Sequence, residues 1–96
     1  MQKKDNKKML ARVAEMFELP GEALAGIPKL SMTGNRQIHV EGHGGVLEYD
    51  NSTIAINGGT IIIHIHGRGL EIVSMSAEEL LIAGHIEKVE FEQLSG

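Results

Sequence analysis

The sequence predicts a small, mainly β domain: an antiparallel β-sandwich or meander of about seven to eight short strands, preceded by an N-terminal helix. After Pro28 the apolar residues change from helical spacing to roughly every second residue, which is typical of strands. Turn signals then recur every eight to ten residues, at Gly34-Asn35, His43-Gly44-Gly45, Asp50-Asn51, Asn57-Gly58-Gly59 and Gly67-Arg68-Gly69. The periodic isoleucines leave a short β-solenoid as the alternative architecture.

The 96 residues suffice for one domain, which we divide into three segments. Residues 1–20 are predicted to be a basic amphipathic helix, because Leu10, Val13, Met16 and Phe17 recur at spacings of three and four residues. Pro20-Gly21 ends this pattern. Residues 21–28 are a connector, and residues 29–96 form the β domain.

The strands of the β domain follow from the intervals between the turn signals. They are predicted near Leu30–Thr33, Gln37–Glu41, Val46–Tyr49, Thr53–Ile56, Thr60–His66, Leu70–Ser74, Leu80–Ala83 and Ile86–Glu92. Asn57-Gly58-Gly59 is the strongest hairpin signal, because these residues tolerate the positive φ of tight turns. Ser76-Ala77-Glu78-Glu79 matches a capping box and predicts one helical turn before Leu80.

Composition argues against several classes of protein. Without cysteine the chain forms no disulfide, thiolate nucleophile, zinc ribbon or iron–sulfur cluster, and a reducing compartment is expected. Aromatic residues make up only 3% of the chain, too few for the stacking platforms of single-strand nucleic-acid binders. The longest apolar run, Ile61–Ile63, is far too short to span a membrane, and no apolar signal segment is present. We therefore expect an intracellular protein that binds no nucleic acid.

Charge is distributed unevenly along the chain. Within residues 1–12, the basic side chains of Lys3, Lys4, Lys7, Lys8 and Arg12 stand against Asp5, which leaves the rest of the chain strongly acidic within a net charge of −4. These five basic residues are candidate contacts to a partner or to an anionic membrane surface. The apolar stripe beside them either packs on the sheet or faces lipid, and the second alternative would make the protein a membrane-surface adaptor.

His64 and His66 are the candidate metal ligands. Strand alternation places both imidazoles on one face, roughly 7 Å apart, a spacing that permits chelation. A zinc site normally needs three or four protein ligands, and neither His39, His43 nor His85 lies in a metal-binding motif. We therefore expect no metal or cofactor. A metal-dependent small-molecule-binding protein or enzyme that uses these strand histidines is kept as an alternative.

No motif of the chain predicts catalysis. Gly42-His43-Gly44-Gly45 lacks the Gly-Lys-Ser/Thr of a phosphate-binding loop and is followed by strands rather than a helix. The serines fall in strands, turns or the C-terminal tail, so none stands on a nucleophile elbow. The chain is therefore predicted not to be an enzyme, with no catalytic or cofactor-binding residues.

The segment Thr60–His66 is apolar on both of its predicted faces. Ile61, Ile63 and Ile65 point one way, whereas Ile62, His64 and His66 point the other. An uncharged strand of this kind invites aggregation unless it is central in a sheet or paired with another chain. It is therefore either a central strand or an assembly surface, formed by Ile62, His64 and His66, of a homo-oligomer.

The order of these features resembles the YabP/YqfC family of small sporulation proteins from endospore-forming bacteria. The resemblance covers about residues 12–92 and rests on a basic leader followed by Phe17–Pro20, Pro28–Gly34, Ile38–Tyr49, Ile54–Ile56, Gly69–Ile72, Glu78–Ile86 and Val89–Phe91. Gly42 is a departure, because relatives tend to carry asparagine there.

The resemblance implies a non-enzymatic protein that is made in the mother cell and is needed for late spore maturation. Relatives are encoded beside membrane proteins of the same programme. The resemblance thus implies a cytoplasmic or peripheral membrane-associated protein that acts as a binding and assembly module, with a sporulation membrane protein as its partner. The family supplies no catalytic residues to carry over.

Overall fold

The computed structural model describes residues 26–94, which form one six-stranded sheet. The strands are β1 (Lys29–Thr33), β2 (Gln37–Glu41), β3 (Val46–Tyr49), β4 (Thr53–Asn57), β5 (Ile61–Met75) and β6 (Glu79–Gln93). Their order across the sheet is β1-β2-β6-β5-β4-β3, and every neighbouring pair is antiparallel. The prediction of a mainly β, antiparallel domain is confirmed.

The long strands β5 and β6 divide the sheet into two halves. Of the 15 residues of β6, only residues 79–83 pair with β2. Of the 15 residues of β5, only residues 62–66 pair with β4. One half therefore contains β1, β2, the start of β6 and the end of β5, and we call it the β1–β2 half. The other contains β3, β4, the start of β5 and the end of β6, and we call it the β3–β4 half.

Glycines mark the junction between the halves, where the pairing of β5 with β6 shifts register after His66 and again after Arg68. A Cβ atom on Gly67 would collide with the carbonyl oxygen of His85. Gly84 has a φ of +142°, and a Cβ there would lie 2.7 Å from the carbonyl oxygen of Gly69. The two strands thus approach each other so closely that only glycine fits, and such bulges bend a sheet.

The connection from β2 to β3 joins the two halves at their far ends. The amide of Gly44 donates to the carbonyl of Asn57 at 2.7 Å, and the amide of Asn57 donates to the carbonyl of Gly45 at 2.9 Å. Strand β4, which ends at Asn57, is not a neighbour of β2 in the sheet. These bonds extend the β3–β4 pairing past Val46 and Ile56. At the other end of the connection, the Gly42 amide donates to the carbonyl of Glu78 at 2.7 Å, so the connection is bonded to both halves.

The core lies on the inner faces of both halves. Its buried members come from β2, β4, β5 and β6, and they are Ile38, Val40, Ile54, Ile56, Ile63, Ile65, Leu70, Leu80, Ile82 and Ile86. Branched aliphatic side chains of this kind favour strands and supply the burial that three aromatic residues cannot.

Three of the sequence predictions for the β domain are wrong. The count of seven to eight strands is wrong, because the pairs of segments predicted on either side of Gly67–Gly69 and of Gly84 are each one continuous strand. The helical turn is also wrong: Ser76 and Glu79 close a hairpin, in which the Ser76 amide donates to the Glu79 carbonyl at 2.8 Å. The solenoid alternative is wrong because neighbouring strands run antiparallel.

The predicted helix of residues 1–20 and most of the connector lie outside the described residues. Within residues 26–94, no helix has the length and apolar character needed to cross a membrane.

Candidate functional site

Strand alternation places Ile62, His64 and His66 together on the outer face of the β3–β4 half. Ile63 and Ile65 are fully buried on the opposite, inner face, whereas the three outer residues are half-buried. This part of β5 lies between β4 and β6, so it is a central strand of the described sheet. The predicted division of this strand into two faces therefore matches the structure, and the proposed assembly role of the outer face stays a prediction.

Each of the two histidines is bonded to a glutamate of β6. His64 Nε2 lies 2.9 Å from Glu92 Oε1, and His66 Nε2 lies 2.8 Å from Glu90 Oε1. The two imidazole rings are stacked, with centroids 6.4 Å apart and planes inclined by 13°. We call the set His64, His66, Glu90 and Glu92 the His–Glu face.

Lys88 extends the His–Glu face along β6. Its Nζ lies 3.3 Å from Glu90 Oε2. The hydrogen bond from Lys88, and secondly the one from His66, hold the pKa of the Glu90 carboxyl below its ordinary value. Glu90 is thus a carboxylate with a cationic neighbour on its own strand and an imidazole partner on the next.

The candidate metal ligands His64 and His66 are spaced nearly as predicted, but each directs Nε2 to a carboxylate. In the part of the chain from residue 26 to 94, no group of three or more His, Asp or Glu side chains is arranged to hold a metal ion. The His–Glu face and Phe91 line a shallow depression in the protein surface.

The other three histidines do not join this face. His39 lies on the β1–β2 half, where its Nε2 is 2.9 Å from Glu79 Oε1, and His85 lies at the junction of the halves, 3.9 Å from Glu87. His43 is buried in the connection after β2. Its Nδ1 accepts from the Gly45 amide at 3.0 Å, and its Nε2 lies 3.0 Å from the Ser76 carbonyl, so the neutral Nε2–H tautomer satisfies both bonds.

Two open edges of the sheet carry exposed apolar side chains that sequence reasoning missed. After residue 86, β6 has no described neighbour on the side away from β5, and Phe91 on this segment is 61% exposed. Likewise, the end of β5 pairs only with β6, and Val73 and Met75 are 55% and 54% exposed there. Apolar residues on strands look alike in sequence whether their strand is central or at an edge.

The edge at the end of β5 has one partner from the other half. The Ile72 amide donates to the hydroxyl of Tyr49, which lies on β3, at 3.0 Å. This bond places the exposed Tyr49 beside the edge that carries Val73 and Met75, and we call these three residues the β5-end patch. The basic residues Lys3, Lys4, Lys7, Lys8 and Arg12 lie outside the described residues, so their predicted contacts stay predictions.

Comparison with known proteins gives the family of the chain. The YabP family model matches residues 26–96, which include every strand of the sheet. The uncharacterized protein YqfC of Bacillus subtilis (strain 168) is 27% identical over 86 residues, which cover 88% of this chain and 90% of that protein. No solved structure matches significantly. The predicted family resemblance is confirmed, and the chain belongs to the YabP family.

Proposed function

We propose that this chain is a non-enzymatic sporulation protein that acts as a binding and assembly module in late spore maturation in the mother cell. Its partner is a sporulation membrane protein, and the chain is cytoplasmic or peripheral at the membrane. Family membership supports the link to sporulation. The observation that carries the binding role is the β5-end patch, where exposed apolar side chains adjoin an open strand edge.

An open edge offers a partner both backbone and side-chain contacts. The Ile72 amide is already bonded to the Tyr49 hydroxyl, so an added strand would pair with the backbone beyond Ile72, and the exposed side chains there would supply apolar contacts and specificity. In the β5-end patch, Val73 and Met75 supply the apolar surface and Tyr49 adds a flat ring next to it. The surface thus suits an extended, apolar segment of the membrane partner.

Co-purification of the tagged full-length chain from sporulating cells tests this function. We expect a sporulation membrane protein to be recovered with the parent chain and to be lost with Met75→Lys. Phe91→Lys is the matched control, because it places the same charge on a similarly exposed apolar residue of the other edge. Recovery of no sporulation membrane protein, or equal recovery with both variants, would contradict the proposal.

A membrane-surface adaptor is the second candidate, supported by the basic residues Lys3, Lys4, Lys7, Lys8 and Arg12. Each basic residue near an anionic bilayer contributes about 1 kcal/mol, so together they suffice for reversible attachment. Flotation of the full chain with phosphatidylserine vesicles tests it. Binding should disappear when the five residues are replaced by glutamine, whereas persistent binding would assign the contact to another surface.

A further inference from the structure

We propose that the open edge of β6 joins two copies of this chain, through two-fold antiparallel pairing centred on Glu90. The inference extends the assembly part of the proposed function and names a second copy as the occupant of this edge. It uses a surface separate from the β5-end patch. Failure of one contact therefore leaves the other contact testable.

The direction of the backbone bonds makes this edge available. The Leu94 amide donates to the Thr60 carbonyl at 3.0 Å, so Leu94 turns its backbone groups towards β5. Because these directions alternate along an antiparallel strand, the odd-numbered residues Val89 and Phe91 turn theirs to the open side. Two copies related by a two-fold axis through Glu90 would then exchange backbone bonds between Val89 of one copy and Phe91 of the other.

The side chains are complementary in this register. Lys88 of each copy lies opposite Glu92 of the other, which gives two cross-strand ion pairs on the outer face. On the inner face, Val89 lies opposite Phe91, so the exposed Phe91 ring gains an apolar neighbour across the strands. Charge and apolar surface thus select a second copy of the same strand as the partner.

The centre of the contact brings the two Glu90 carboxylates near each other, which is unfavourable by itself. Each is already bonded within its own chain to His66 at 2.8 Å and to Lys88 at 3.3 Å, and these groups offset the repulsion. A register with the axis through Val89 would be less favourable, because Glu92 of one copy would then lie opposite the buried Ile86 of the other. The register centred on Glu90 is therefore favoured over the one centred on Val89.

Cysteine cross-linking tests the register, because the parent chain contains no cysteine. A non-hydrogen-bonded antiparallel pair has Cα atoms about 4.5 Å apart, within the range that a disulfide bridges. Glu90→Cys should therefore give a covalent dimer under mild oxidation. Gln93→Cys is the matched control, because Gln93 takes no part in the proposed contacts and its two copies would be separated by about 20 Å along the strands, so it should stay uncrosslinked. Equal cross-linking of both variants would overturn the register.

Charge reversal gives an independent test by sedimentation of the folded proteins. Lys88→Glu and Glu92→Lys each make both cross-strand pairs repulsive, so either variant alone should be monomeric. In a mixture of the two variants the charges are opposite again, and a heterodimer should form. Circular dichroism checks that both variants stay folded.

The oligomeric state of the parent chain tests whether the dimer forms at all. It should be dimeric at about 100 µM, a concentration that reveals dissociation constants well into the micromolar range. Phe91→Lys should be monomeric, whereas Met75→Lys should remain dimeric. A monomeric parent would overturn this inference without affecting the membrane-partner capture that depends on Met75.

Discussion

Glu90 links the outer face of the sheet to its open edge. It receives hydrogen bonds from Lys88 and His66, which lower the pKa of its carboxyl from an ordinary value of 4.5. A carboxyl with a lowered pKa in the folded state contributes stability above its ordinary pKa. That contribution is lost as the pH falls through the lowered pKa of the folded protein.

We predict that Lys88→Met raises the pKa of Glu90 towards its ordinary value, because Lys88 is the larger cause of the shift. Titration of the side-chain carboxyl carbons by NMR measures the change. Lys29→Met is the control, since Lys29 faces Glu41 at 4.0 Å and should leave the titration of Glu90 unchanged. An unchanged Glu90 titration in Lys88→Met would show that the ion pair contributes little in solution.

The shared face of His64 and His66 could be predicted from the sequence, whereas their hydrogen-bond partners could not. Alternation along one strand places both imidazoles on the same face, and the structure agrees. Their glutamate partners come from β6, and the pairing between β5 and β6 shifts at three places. Because partners across two strands depend on these shifts, the sequence pattern of β5 alone could not identify Glu90 and Glu92.

His43 is a second residue whose role depends on distant backbone. It is 8% exposed and holds the Gly45 amide and the Ser76 carbonyl at 3.0 Å each. We predict that His43→Ala lowers the free energy of unfolding by about 1–3 kcal/mol, because two buried backbone groups lose their partners. His85→Ala, at a partly exposed site, should cost under about 0.5 kcal/mol. Urea denaturation compares them, and equal midpoints would contradict the structural role of His43.

At the scale of elements, the strands separated by true turns were predictable and the bent strands were not. The predicted bounds of β2 and β3 match the structure, because glycine, asparagine and aspartate flank short alternating runs. Gly67-Arg68-Gly69 predicts a turn for the same compositional reason. In the structure these residues lie within β5, where glycine permits close approach to β6 instead of chain reversal.

Gly67 provides the sharpest test of the junction between the halves. We predict that Gly67→Ala destabilises the fold by more than about 3 kcal/mol, because the new methyl group requires the His85 backbone to move. Gly34→Ala is the control, since no heavy atom lies within 4 Å of the added group there. Its φ of +50° should cost only about 1 kcal/mol. Thermal or chemical melts measure both, and a Gly67→Ala chain as stable as the control would mean that β5 and β6 separate easily.

At the scale of the whole molecule, the fold combines one shared aliphatic core with strand ends that have no further neighbour among the described residues. The two long strands let each half of the sheet contribute to one aliphatic core, and the β2–β3 connection is bonded to Glu78 of one half and to Asn57 of the other. Within residues 26–94, this arrangement leaves the end of β6 and the end of β5 without a further neighbouring strand, on different halves. We expect these two separate edges to let one chain bind a second copy and a different partner at once, as the proposed assembly role requires.

The predicted helix of residues 1–20 either packs its apolar stripe on the sheet or turns the stripe to a membrane, and two variants distinguish these alternatives. Residues 1–8 are charged or polar and, apart from Met1, carry no apolar side chain to bury, so their deletion should leave the melting temperature unchanged. Val13→Asp combined with Phe17→Asp should instead destabilise the full chain by several kcal/mol if the predicted helix packs on the sheet, because burying two charges is costly. Melting and vesicle flotation of the same double variant separate the alternatives. Unchanged melting with lost binding to phosphatidylserine vesicles would contradict packing and assign the stripe to lipid.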